Sequence, residues 1–281
     1  MITEKRSVPF SGTLPLKFSE FAYMGSYYDR LDELAALALP EPWKYRRNQE
    51  CYKNQQTPIL GYYMSSVYYK LAMDYQYALT PEEAGRALYI NSERCCFHTG
   101  LYTRNYKAIY AYYERNLRTD SPWYWVLQGF QEEASAKLKY VNPLPMRPMS
   151  GLYELGMAYD PDWPIRVRVE HILEDAENLE RIPEKLRDFP NLPLLLETGV
   201  ELARRQAAIS PSIVVPQVFG GRFQYLLPVC LTDPAKPELA MALSIHDGYY
   251  LGHTCLTMNM AYGNARLIGR PTAPWLIELV E

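Results

Sequence analysis

The fold of this chain is decided by SIVVPQVFGGRFQYLLPVCLTDPAKPELAMALSIHDGYYLGHTCLT, residues 212–257. The stretch contains four apolar, β-prone runs separated by turn signals: 212–219, 222–231, 238–246 and 249–257. The turns contain Gly220-Gly221, Asp233-Pro234 and Asp247-Gly248, and Asp-Gly between two apolar runs is the strongest short-range hairpin signal. We therefore expect an antiparallel meander here, followed by a closing helix over 258–268.

The register of the last hairpin assigns its side chains to two faces. A two-residue turn at Asp247-Gly248 pairs His246 with Tyr249 and Ala242 with His253. One face is then apolar and faces the core: Met241, Leu243, Ile245, Tyr250, Leu256 and Met258. The other face is mixed, and it is either an ordinary solvent face or the lining of a cavity: Ala242, Ser244, His246, Tyr249, His253, Cys255 and Thr257.

Patterns elsewhere in the chain add helices and further strands. Apolar residues at helical spacing predict helices over 18–39, 59–77, 171–188 and 194–209. Short β-prone runs occupy 95–103, 107–116 and 123–130, and the proline-rich segment 141–164 predicts a long loop or lid. We expect one α+β domain over 1–281, with a helical N-terminal part at about 15–80 and an antiparallel sheet of hairpins with helices packed on it.

Composition limits the functional classes. The 281 residues are 48% hydrophobic, which is ample for a sizeable core. The formal charge of −3 argues against sequence-blind adhesion to nucleic acid, which needs a large positive field, but leaves room for a local basic groove. The N-terminus lacks an apolar signal core and no apolar run approaches ~18 residues, so we expect a cytoplasmic protein with no membrane partner.

Cysteines and histidines give no strong metal pattern. The cysteines are five in number and form no CxxC pair, so we expect reduced, buried thiols without disulfides. A turn at Asn105-Tyr106 places Cys96 and His98 on one strand face, opposite Arg115 and Tyr113. Zinc needs three or four such ligands and no second pair has matching spacing, so we expect no metal and a histidine satisfied by a neighbouring hydroxyl. Phosphate-loop, dinucleotide, zinc-protease and serine-hydrolase motifs are absent from the sequence, and we expect no cofactor.

Two helical stripes are the best candidates for a binding site. His171, Glu174, Asn178 and Arg181 follow one another at i, i+3, i+7 and i+10, which places them on one face of a continuous helix. Asn259, Tyr262 and Arg266 repeat this spacing in the closing helix. Histidine moves a proton near pH 7 and the arginine fork suits phosphate, so the stripes suit a phosphate-bearing ligand. A capped, salt-linked helix surface would produce the same pattern.

The sequence resembles one family of bacterial proteins with a domain of unknown function. The resemblance rests on FHTGLYT (97–103), IYAYYERN (109–116), VPQ (215–217), FQYLLPVCL (223–231) and, above all, LTMNMAYGNARLIGRPTAPWL (256–276). Members of the family are sometimes fused to cold-shock, LOTUS or NYN-type nuclease modules, so the resemblance implies work on or near RNA. Asn259 stands where the family usually has Asp and Gly263 where it usually has Asn, and the missing carboxylate argues against a metal at position 259.

These observations lead to one functional hypothesis and two alternatives. The first is a protein that binds RNA or a nucleotide-like, phosphate-bearing ligand. It places Asn178, Arg181, Asn259 and Arg266 at the phosphate, with Gln217, Gln224 and Tyr262 as orienting hydrogen-bonding groups. The alternatives are a metal-independent phosphodiester- or nucleotide-processing enzyme with His171 as general acid or base, and a structural or partner-binding component. The sequence leaves the oligomeric state open.

Overall fold

The computed structural model describes residues 13–46, 56–148, 158–278 and 280. The chain divides into two compact units, the first formed by 1–44 and 48–151 and the second by 45–47 and 152–281. The boundary falls within the predicted loop 141–164, of which 149–157 lie outside the described residues, as does Cys51. Organisation as a single domain stays a prediction. Within the described ranges, the structure has no helix whose length and apolar content would let it cross a membrane.

The first unit contains a five-stranded sheet of order β1-β5-β4-β3-β2. Its elements are α1 (Phe18–Phe21), β1 (Ala22–Tyr23), α2 (Tyr27–Leu37), α3 (Pro58–Tyr77), α4 (Pro81–Ala87), β2 (Tyr89–Ile90), β3 (Arg94–Tyr102), β4 (Ala108–Arg115) and β5 (Trp125–Glu132), followed by a 3₁₀ helix (Ala136–Tyr140). The predicted helix 18–39 is wrong as a single element, because Ala22 and Tyr23 leave the helical path to pair in parallel with β5. Ser26 then caps α2 by accepting a hydrogen bond from the Asp29 N–H.

Aromatic rings fill the core of the first unit. The Phe21 ring lies 4.7 Å from that of Tyr68 on α3 and 5.3 Å from that of Tyr113 on β4. The β3–β4 hairpin pairs Cys96 with Tyr112 and His98 with Tyr110, so the predicted pairing with Arg115 and Tyr113 is wrong. The cause is a wider connection, since Tyr102 pairs with Ala108 and the register shifts between His98 and Tyr102.

The second unit contains the predicted meander. Its elements are β6 (Ile165–Val167), α5 (Val169–Glu174), α6 (Ala176–Arg181), α7 (Glu184–Arg187), α8 (Leu192–Ile209), β7 (Val215–Phe219), β8 (Arg222–Val229), β9 (Leu239–His246), β10 (Tyr249–Leu256), α9 (Met258–Arg266) and α10 (Pro274–Ile277). Strands β7 to β10 pair antiparallel in sequence order, and α9 follows directly. The α+β class and the antiparallel hairpins are therefore confirmed. The sequence did not predict β6, which joins the sheet parallel to β10.

The two faces of this second sheet are covered differently. Helices α5 to α8 pack on the face that carries Tyr225, Leu227, Met241 and Leu243. Helix α9 packs on the opposite face, where it contacts β7. We call this opposite face the α9 face.

A bulge changes the predicted register near the end of β10. His246 pairs with Tyr249 as predicted, but Ala242 pairs with Thr254 because the register shifts between Gly252 and Thr254. His253 is thus the extra residue of a β-bulge. The predicted faces of Cys255 and Leu256 are wrong as a consequence, and Cys255 belongs to the core beneath α5 to α8.

Candidate nucleic-acid interface

The predicted helix over 171–188 is three short helices. Asp175 has extended backbone angles, ends α5, and caps α6 by accepting a hydrogen bond from the Asn178 N–H. Pro183 precedes α7 and marks the second interruption. The single helical face expected for His171, Glu174, Asn178 and Arg181 therefore does not form. His171 is exposed on α5, and its catalytic role stays a prediction.

Asn178 and Arg181 join α6 to β10. The buried Oδ1 atom of Asn178 accepts hydrogen bonds from the Cys255 N–H (3.3 Å) and from Nη1 of Arg181 (3.0 Å). Nη1 of Arg181 also donates to the Cys255 carbonyl (3.2 Å), and Nη2 donates to Glu177 (3.1 Å). These bonds satisfy polar backbone groups at a helix–sheet contact, so their geometry indicates a structural role for the pair.

Gln217 and Gln224 lie on the α9 face and belong to a chain of amide hydrogen bonds. Nδ2 of Asn264 donates to Oε1 of Gln217 (2.9 Å), and Nε2 of Gln217 donates to Oε1 of Gln224 (3.0 Å). Nε2 of Gln224 then donates to Oγ of Ser244 (2.9 Å). Gln217 and Asn264 are 0% and 1% exposed, so the chain runs from the buried interior to the half-buried Ser244.

Helix α9 places the remaining predicted residues largely inside the protein. Tyr262 is buried at 1% exposure, and its ring meets that of Tyr45 edge-on, with 6.4 Å between centroids. The Asn259 carbonyl accepts a hydrogen bond from the Tyr45 hydroxyl (2.9 Å). Arg266 is 7% exposed. Since α6 and α9 cover opposite faces of the sheet, the structure places Arg181 and Arg266 in different surroundings.

Cys96 and His98 occupy the first unit and share a strand face, as predicted. Nδ1 of His98 accepts a hydrogen bond from the Gly100 N–H (2.8 Å), so its partner is a backbone amide of the same strand and not the predicted hydroxyl. Burial raises the pKa of the Cys96 thiol well above its ordinary value. The four described cysteines are free and buried, and the described residues include no cluster of three or more metal-ligating side chains.

The exposed end of the α9 face carries a stack of three side chains. The rings of His246 and Tyr249 lie parallel within 8°, with centroids 4.8 Å apart. The Arg166 guanidinium carbon lies 4.1 Å from the centroid of the Tyr249 ring. Because β6 and β9 lie on opposite sides of β10, Arg166 and His246 cover opposite faces of Tyr249. His246 is exposed at the end of this stack.

Two more residues extend this stack into a row across the sheet. Phe219 pairs with Arg222 at the β7–β8 turn, so both side chains lie on one face. The last backbone pair of β8 and β9 at this end is Tyr225 with Leu243, and the side chains of the next two residues, Gln224 and Ser244, are hydrogen-bonded. Extending the same register by two more residues places Arg222 opposite His246. We call these five residues the basic–aromatic row: Arg166, Tyr249, His246, Arg222 and Phe219. Tyr249 is half-buried and the other four residues are exposed. Phe219 is 59% exposed, although its side chain is apolar.

Three arginines contribute positive charge to this part of the sheet. Arg168 follows Arg166 by two residues and continues the β6 ladder through a bond from its N–H to the Gly252 carbonyl. Within the described parts of the chain, neither of these two nor Arg222 lies within ion-pair distance of a carboxylate. Seven other arginines do have such partners: Arg30, Arg86, Arg94, Arg118, Arg181, Arg204 and Arg205. The guanidinium groups of Arg166, Arg168 and Arg222 are of the kind that binds anions, and the exposed Asp247 carboxylate lies in the neighbouring β9–β10 turn.

The mixed α+β architecture and its two sheets define the class of the protein. The chain matches the model of one family over residues 34–275, described as a domain of unknown function (DUF3825), and it belongs to that family. Comparison with curated proteins and with solved structures gives no significant match.

Proposed function

We propose that this protein binds single-stranded RNA in the cytoplasm through the basic–aromatic row. The observation that carries the proposal is the three-layer stack of Arg166, Tyr249 and His246, in which His246 is exposed. Stacking on an aromatic face is open to every base and contributes about 1–3 kcal/mol per base. A base that stacks on His246 continues an arrangement that the protein has already ordered, which lowers the entropic cost of binding.

The charges beside the stack favour a polyanion. The guanidinium groups of Arg166, Arg168 and Arg222 suit phosphate because arginine presents a planar fork of donors. Arg166 on β6 and Arg222 on β8 lie on the same face of the sheet and Arg168 follows β6, so the three add positive charge to this part of a protein whose formal charge is −3. A sheet surface with aromatic and basic side chains is a recurrent platform for single strands, whose unpaired bases can be splayed out and stacked.

Family resemblance favours RNA among the phosphate-bearing ligands. The resemblance includes proteins in which the domain is fused to cold-shock, LOTUS or NYN-type modules, all of which imply RNA metabolism. This association agrees with the chemistry of the row but is independent of it.

The direct test is fluorescence anisotropy with a labelled eight-nucleotide RNA of mixed sequence. His246→Ala removes the exposed ring of the stack and should weaken binding by about 1–3 kcal/mol, roughly five- to 150-fold. Arg222→Ala should weaken binding and flatten the plot of log K against log salt by about 0.7, the value for one phosphate contact on a single strand.

Arg118→Ala is the matched control, because Arg118 is an exposed arginine of the first unit that already pairs with Asp120. Its loss should leave the affinity unchanged at constant salt. Equal affinities for wild type, His246→Ala and Arg222→Ala would refute the row as the binding surface.

A further inference from the structure

Ser244 lies beside the basic–aromatic row with an available hydrogen-bond donor. It shares strand β9 with His246, two residues away, and therefore lies on the same face of the sheet. Its Oγ atom accepts a hydrogen bond from Nε2 of Gln224 (2.9 Å). The hydroxyl hydrogen has no acceptor among the residues that the structure describes, and Ser244 is only half-buried. A ligand on the row can therefore reach this hydrogen.

The amide chain behind Ser244 fixes the position and direction of that donor. Each amide nitrogen donates toward the surface, from Asn264 to Gln217, from Gln217 to Gln224 and from Gln224 to Ser244. Hydrogen bonds aligned in one direction polarise one another, so the last hydroxyl is a stronger donor than an isolated serine. Because Gln217 and Asn264 are buried, the chain is rigid at its inner end.

The distance from the row to Ser244 matches the size of one nucleoside. Two residues along a β-strand span about 6.7 Å. A base stacked on His246 therefore brings its own ribose near Ser244, while the arginines of the row take the flanking phosphates. The serine hydroxyl and the Gln224 amide are neutral, which suits a neutral sugar hydroxyl better than a phosphate.

We infer that Ser244 donates a hydrogen bond to the ribose 2′-hydroxyl and so makes the site prefer RNA to DNA. This inference rests on the proposed function and adds a specificity-determining residue to it. The 2′-hydroxyl is the group that allows a protein to distinguish the two nucleic acids at a given position.

The experiment compares RNA and DNA oligonucleotides of matched eight-nucleotide sequence, with uracil in both, against three proteins. Wild type should bind the RNA about five-fold more tightly, as expected for one hydrogen bond of about 1 kcal/mol. Ser244→Ala should lose this preference through weaker RNA binding, with DNA affinity unchanged. Ser244→Thr keeps a hydroxyl on a β-branched side chain that suits a strand, and it should keep the preference. Melting temperatures of the three proteins check that each is folded.

The outcomes separate this inference from the proposed function. If wild type binds RNA and DNA equally and His246→Ala weakens both, the row binds nucleic acid but the role of Ser244 is wrong. If Ser244→Ala weakens RNA and DNA equally, the hydroxyl contacts a base or a phosphate, and the inference is again overturned. If wild type binds neither oligonucleotide, the proposed function fails and the inference with it.

Discussion

The buried imidazole of His98 predicts a specific pH dependence of stability. His98 is 4% exposed on β3, and its ring lies 5.0 Å from that of Tyr110 and 5.6 Å from that of Tyr102. Burial, together with the positive charge of Arg147 and against the opposing effect of Glu133, lowers the pKa of His98 from 6.5 to about 4. The folded protein therefore holds this histidine neutral under conditions in which an unfolded chain would protonate it.

The size and direction of the effect follow from proton linkage. Above pH 6.5 the residue is neutral in both states and has no effect on the pH dependence of stability. Between pH 6.5 and about 4 the unfolded chain binds a proton that the folded protein does not, so stability falls as the pH falls. At about 1.4 kcal/mol per pH unit, the loss over this window amounts to about 3 kcal/mol, and it levels off below the folded pKa.

The assay is urea unfolding of wild type and His98→Asn at several pH values from 8 to 4. The asparagine oxygen can accept the Gly100 N–H hydrogen bond that Nδ1 of His98 now accepts (2.8 Å), but it does not titrate. Other groups titrate alike in both proteins, so the difference between their free energies of unfolding isolates His98. We expect this difference to shift by about 3 kcal/mol against wild type from pH 7 to pH 4. A constant difference over that range would refute the buried, neutral histidine.

Four further substitutions test the remaining interpretations. Asn178→Ala leaves the buried Cys255 N–H without its acceptor and removes one of the two acceptors of Arg181 Nη1, so the free energy of unfolding should drop by about 1–3 kcal/mol with RNA affinity unchanged. A selective binding defect would instead support the predicted ligand role. Gly199→Ala places a Cβ atom 2.7 Å from the Cys230 carbonyl oxygen and should lower the melting temperature. Gly85→Ala should raise the melting temperature, because Gly85 lies in a helix with open space around it. Equal shifts in the two glycine variants would contradict the close approach of Gly199 to the Cys230 carbonyl. Arg266→Ala should lower the free energy of unfolding by at least about 1.5 kcal/mol because Arg266 is buried. A loss of RNA affinity at an unchanged melting temperature would instead support the predicted contact between Arg266 and a phosphate.

The meander was predictable because local signals agree with each other there. Gly220 and Gly221 both have positive φ angles, 55° and 75°, which glycine adopts at little cost, and Gly248 has a φ of 75° in the next tight turn. The apolar runs between these turns are long enough to be strands and alternate as strands do. The turn residues and the alternation of apolar residues therefore specify the same hairpins. The pairing of His246 with Tyr249, predicted from the two-residue turn between them, is confirmed.

The bulge and the helix break were not predictable from periodicity. One extra residue at His253 reverses the faces of every residue that follows in β10, but an alternating pattern does not show it. At Asp175 the helical spacing of apolar residues continues through the break, because α5 and α6 pack on the same core. Asp175 is a good N-cap residue, so its identity is a local signal for the start of a helix. The continuous helical spacing of the apolar residues around it masked this signal.

Only part of the basic–aromatic row could be predicted from the sequence. His246 and Tyr249 were placed on the correct face by their hairpin, but Arg166 lies on a three-residue strand that pairs in parallel with a distant segment. Parallel pairing across so long a connection leaves no turn signal to identify it. Arg222 and Phe219 flank the Gly220-Gly221 turn, and residues beside such a turn are expected to be exposed whether or not they bind a ligand.

The most distinctive stretch of the sequence turns out to lie in the interior. Residues 261–266 of α9 are all buried, and six consecutive positions cover more than a full helical turn, so the helix is enclosed on every side. A polar side chain in such a place must find partners of fixed geometry, as Asn264 does with Gln217, and this requirement constrains its identity as strongly as a ligand would. A stretch of unusual polar residues therefore need not mark a binding site. The better indicator is a solvent-accessible polar group with no partner among the described residues, and on the α9 face the guanidinium of Arg222 and the hydroxyl hydrogen of Ser244 are such groups.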